Sequence, residues 1–106
     1  MNETHDDLVQ LTLAAPRHLE EALLEQLLAH PDWAAGFTLF QAEGHSSRPE
    51  ALSAQERVRG RAKRIAVQIV LDAGHAAALL DHLRRCLPKP EVAYWLTPVR
   101  EFGRLA

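Results

Sequence analysis

Two stretches of this chain carry the same pair of signals in the same order: an alternating apolar run, then leucines at helical spacing. In the first, Val9, Leu11 and Leu13 alternate with Leu8, Gln10 and Thr12, and Leu19, Leu23 and Leu27 then recur at every fourth position. In the second, Ile65, Val67, Ile69 and Leu71 alternate with Arg64, Ala66, Gln68 and Val70, followed by Ala76, Leu79, Leu80, Leu83 and Leu87. A strand with one apolar face followed by a helix with one apolar stripe must bury both against each other, which commits the chain to a two-layer α+β domain.

The remaining elements complete the pattern. Pro16 suits the first position of a helix over residues 16–29, with Glu20 and Glu21 in its early turns and His30-Pro31-Asp32 as its stop. Residues 36–43, from Gly36 through Phe40 to Glu43, read as a second strand. Asp72 is placed to cap a helix over residues 73–87, which Pro88-Lys89-Pro90 ends. Val92 to Thr97 form a last strand, closed by Pro98. The order is βαββαβ, a ferredoxin-like fold: a four-stranded antiparallel sheet with two helices on one face and a long loop between strands 2 and 3. With 106 residues the chain has room for one such domain, preceded by a flexible acidic N-terminus at 1–7. Phe40, Val70 and Trp95 then point to the face without helices, and a bare apolar face predicts an oligomer that covers it.

Charge and cysteine content narrow the function classes. A net charge of −2 gives no reason to expect nucleic acid. No apolar run is long enough to span a membrane, and the polar, acidic start is not a secretory signal. One Cys cannot form an internal disulfide, so a reducing, cytoplasmic setting is expected. No nucleophile elbow, zinc-protease helix or phosphate-binding glycine loop is present, and no enzyme activity is expected.

The chemistry-bearing residues gather in the 44–60 loop, far longer than an ordinary hairpin connection. His45 is a candidate metal ligand, with Glu43 as a second, and Arg48 stands beside it. Beyond it Arg57, Arg59, Arg61 and Lys63 alternate, so an extended chain would present them on one side, where guanidinium groups suit phosphate or carboxylate. A solvated basic strand edge explains the same row without a ligand. Elsewhere, His75, His82 and Cys86 fall within about 40° of one another on the second helix. The i, i+4 pair His82 and Cys86 is a weaker candidate site for a soft or borderline metal. His18 and His30 flank the first helix and read as solvated.

Several segments also resemble a known group of proteins: Leu11-Thr12-Leu13-Ala14-Ala15-Pro16, Gly36-Phe37-Thr38, Gly44-His45-Ser46-Ser47-Arg48, Val58-Arg59-Gly60-Arg61 and Tyr94-Trp95-Leu96-Thr97-Pro98-Val99. The chain resembles the PII-like superfamily of small trimeric regulatory proteins, and more closely a bacterial PII-like family of unknown function. That resemblance implies a homotrimer whose loop binds a small-molecule or metal effector and modulates a protein partner. Members tend to be encoded beside heavy-metal efflux systems, so it also implies an efflux or transport component as partner. The nucleotide-binding members carry a glycine-containing loop after the second helix, whereas Leu87-Pro88-Lys89-Pro90-Glu91 has no glycine. A divalent or Cu(I) metal ion therefore ranks ahead of ATP or ADP as effector. The expected effector residues are His45, Arg48, Arg59 and Arg61. Two other readings use the same parts: a direct metal-binding accessory protein, and a structural oligomer whose loop docks another protein.

Overall fold

The computed structural model describes residues 7–44 and 62–106. Four strands, β1 (Leu8–Pro16), β2 (Thr38–Gly44), β3 (Ala62–Asp72) and β4 (Ala93–Pro98), form one sheet in the order β2-β3-β1-β4. Every neighbouring pair is antiparallel. Among the described residues the helices are α1 (Glu20–Leu28), entered through a 3-10 turn at Arg17–Leu19, and α2 (Ala73–Cys86). This is the ferredoxin-like α+β fold that the alternating runs predict.

Register explains the sidedness. Leu11 lies opposite Ile69 and Leu13 opposite Val67, so the alternating apolar residues of β1 and β3 meet on one face. Leu23, Leu27, Ala76, Leu79 and Leu83 descend onto that face from the helices and complete the buried core. The two central strands sit under the helices, and α2 packs on both. Asp72 closes β3 and caps α2, its Oδ1 accepting from the His75 backbone N–H at 2.9 Å.

The starts of α1 and β2 differ from expectation, while the ends of both and the bounds of α2 and β4 fall within one residue of it. Pro16 does not open the helix; it is the last residue of β1, at φ −58° and ψ 145°, opposite Arg64. The ring fixes only φ, and that value serves a strand end as well as a helix start. The helix accordingly begins after it, and β2 begins at Thr38, beyond Gly36.

Among the described residues, no helix lies on the opposite face. Phe40 and Trp95 are 43% and 49% exposed there, while Val70 is half-buried. Strand β4 is exposed along its whole length, including Tyr94 and Leu96 on the helix side. The sequence pattern did not show that the helix layer stops short of this edge.

Candidate functional site

Strands β2 and β3 stay in register up to Gly44 opposite Ala62, so both ends of the intervening segment leave from a hydrogen-bonded ladder. Glu43 and Lys63 face each other on the last rungs before it, an opposite-charge pair at exposed positions. His45, Arg48, Arg57, Arg59 and Arg61 lie outside the described residues, as do all but Gly44 of the 44–60 loop and all but Asp7 of the 1–7 segment.

The described anchor has a definite construction. Arg64 spans the sheet, its guanidinium donating to the Glu91 carbonyl at 2.7 Å and the Ala14 carbonyl at 3.3 Å. A Cβ on Gly44 would collide with the Arg64 side chain, so glycine is what lets the end of β2 lie against it. The loop anchor is thereby joined through one side chain to β1 and to the residue two before β4. Arg64 is committed to carbonyls and is not a spare cation for an anion site.

A second cluster joins the C-terminal end of α1 to α2. His82 Nε2 lies 2.7 Å from Gln26 Oε1 and 3.1 Å from His30 Nε2, and its Nδ1 is 3.7 Å from Cys86 Sγ. His30 stacks on Trp33 with ring centroids 4.6 Å apart. His30 is therefore not simply solvated, as its place at a helix end suggested. Partial burial between the helices lowers the His82 pKa from its ordinary 6.5, and positive charge on His30 and Arg85 pushes the same way. Its neutral form is favoured. His75 stands apart at the other end of α2, paired with Asp72 through Nδ1 at 3.0 Å. Among the described residues, no three or more His, Cys, Asp or Glu side chains converge as a metal cage.

Clefts also open among the described residues. One of about 840 Å³ runs between the α2 N-terminus and the C-terminal tail, lined by Asp7, Asp32, Asp72, His75 and Arg104 among others. Another, about 340 Å³, is apolar and lies between the end of α2 and the start of β4, against Leu83, Leu87, Pro90 and Tyr94. Arg84 borders it, donating to the Tyr94 hydroxyl at 2.9 Å. Among the described residues, no helix is long and apolar enough to cross a membrane.

Comparison with known proteins adds family and fold. Residues 5–106 match the model of a family described as "Protein of unknown function (DUF3240)". No curated protein matches the chain by sequence. The structure is similar to that of a DUF3240 family protein from Shewanella baltica, with TM-score 0.76 and 22% identity over 96% of this chain and 100% of the other. It is also similar to CPII, a nitrogen regulatory PII-like protein from Thiomonas intermedia solved with ADP, AMP and bicarbonate. There the TM-score is 0.68 and identity 14%, over 93% of this chain and 96% of that one. The periplasmic divalent cation tolerance protein CutA from Archaeoglobus fulgidus gives a TM-score of 0.66 at 15% identity, over 92% and 88% of the two chains.

Proposed function

The chain belongs to the DUF3240 family and has the fold of PII-like proteins and CutA, and from that premise we propose that it is a regulatory protein that works by binding, not catalysis. A small effector binds at the 44–60 loop and shifts its conformation, and the altered surface modulates a protein partner, for which a heavy-metal efflux or transport component is the candidate. The observation that carries this reading is the anchor itself. Gly44 packs on Arg64, and Arg64 holds the carbonyls of Ala14 and Glu91. In this reading a displacement of the loop base passes through Arg64 to the start of β4, which offers exposed aromatic and apolar surface.

Three copies of the chain assemble over the bare sheet face, covering Phe40 and Trp95. For a metal effector, His45 and Glu43 are the ligands, in keeping with a divalent cation tolerance protein sharing the fold. For an anionic nucleotide, Arg48, Arg59 and Arg61 take the phosphates, in keeping with a PII-like relative solved with ADP and AMP. The protein acts in the cytoplasm, where Cys86 remains a thiol.

Native mass spectrometry of the metal-free chain with Zn²⁺ or ADP tests the proposal, with His45→Ala and Arg59→Ala alongside. The expected result is a three-chain species that takes up one of the two at the loop, with one ion per chain fewer in His45→Ala than in wild type, or uptake of the nucleotide lost in Arg59→Ala. A monomer, or a trimer that binds neither, would overturn it.

A further inference from the structure

Apart from the loop, the cluster between α1 and α2 has chemistry that the regulatory reading does not use. His82 and Cys86 lie one helical turn apart on α2, with Nδ1 and Sγ separated by 3.7 Å. A tetrahedral ion with a metal–sulfur bond of about 2.3 Å and a metal–nitrogen bond of about 2.05 Å needs its two donors roughly 3.6 Å apart. The pair is thus already at chelating distance. The other imidazole nitrogen is anchored, because Gln26 Oε1 at 2.7 Å can only accept and so places the proton on Nε2. His30 Nε2, at 3.1 Å from the same atom, accepts a share of that proton and is itself steadied by its stack on Trp33. This leaves the Nδ1 lone pair directed toward sulfur. A buttressed far nitrogen is the usual second shell of a metal-bound imidazole.

We propose that Cys86 Sγ and His82 Nδ1 form a two-point chelate for a soft or borderline transition-metal ion, Cu(I) or Zn(II), with Gln26 and His30 as positioning residues. Thiolate and imidazole together select these ions over hard cations such as Mg²⁺ or Ca²⁺. Cys86 is exposed, so the ion enters directly from solvent as the thiol proton leaves. With only two protein ligands the coordination sphere stays open. Such a site receives and hands on an ion; it does not lock one in place as a structural centre would. It draws on none of the loop residues, so it stands or falls separately from the effector site.

The test is metal competition on the full chain under anaerobic, reducing conditions. Cu(I) is titrated against a chromophoric Cu(I) chelator, and Zn²⁺ against a metal-sensitive dye, for wild type, Cys86→Ser, Gln26→Leu and His45→Ala. One ion per chain is expected at this site. Cys86→Ser, at an exposed position that leaves the core intact, lowers affinity by more than about 100-fold, and Gln26→Leu lowers it by about 10–100-fold. His45→Ala keeps the ion held by Cys86 and loses only one bound at the loop, and a thiolate-to-copper charge-transfer band accompanies Cu(I) loading in every variant that keeps Cys86. Wild-type affinity for both ions in Cys86→Ser would overturn the proposal, and so would loss of all binding in His45→Ala alone.

Discussion

Replacing Trp95 with serine tests whether the helix-free face is an interface. An aromatic side chain of this size carries roughly 200 Å² of surface. Trp95 is 49% exposed, so about 100 Å² remains to be covered by another copy. At ~25 cal/mol per Å², that is about 2.5 kcal/mol per chain. Three chains contribute about 7.5 kcal/mol, or roughly five orders of magnitude in the association constant. The covered half of the ring packs on the chain's own sheet, so Trp95→Ser also costs the single chain about 2 kcal/mol of folding stability. Thr97→Glu separates the two effects. Thr97 is exposed, and it shares the face of Trp95 two residues along β4. A carboxylate there removes no buried apolar area from the single chain but would be trapped in an interface. Sedimentation velocity across a concentration series should show a three-chain wild type and single-chain variants, with Thr97→Glu melting as a folded monomer. If both variants sediment as wild type does, the face is not the interface and the reasoning fails.

Arg64→Ala deletes two charge-assisted hydrogen bonds to carbonyls and should lower stability by about 2 kcal/mol in urea denaturation. Gly44→Ala, which pushes Arg64 from its place, should reproduce part of that loss but add little to it in the double variant; full additivity would mean the two residues are not linked. Asp72→Ala removes the cap of α2 and should cost about 1 kcal/mol, read as a lowered urea midpoint with an unchanged slope. The lowered His82 pKa means that the unfolded chain binds more protons than the folded one just below the ordinary value of 6.5. Its contribution to stability should therefore be complete above 6.5 and fall away as pH drops through that value toward the depressed folded pKa. His82→Gln should flatten the pH dependence over that window, and an unchanged slope would refute the assignment.

Most of the fold is legible in the chain because its two strand–helix units keep unbroken periodicity. The alternation of Ile65, Val67, Ile69 and Leu71 and the helical spacing of Leu79, Leu80 and Leu83 leave no competing pattern, and each of these residues enters the core. Pro16 was ambiguous for a physical reason, since one φ value satisfies both the strand end it occupies and the helix start it suggests. The bare edge at Tyr94 and Leu96 depends on how far the helix layer extends, which no local pattern encodes. The candidate sites divide in the same way. The His82 and Cys86 pair follows from helical spacing alone, and the two groups do meet. His30 joins them across 52 positions of sequence, and only the packing of α1 on α2 brings it there. The role of Arg64 was hidden among a row of basic residues, although its position opposite Pro16 is set by the strand register.

Hydrogen–deuterium exchange of the full chain, free and with ADP or Zn²⁺, tests the central claim most directly. If the 44–60 loop is the effector site and Arg64 its link to the fold, one of the two ligands should change protection across residues 44–61 and in the Glu91 to Trp95 segment together. In His45→Ala the loop's response to Zn²⁺ should vanish, or in Arg59→Ala its response to ADP. No change in the loop with either ligand, or a change confined to residues around Gln26 and Cys86, would contradict a loop-centred regulator.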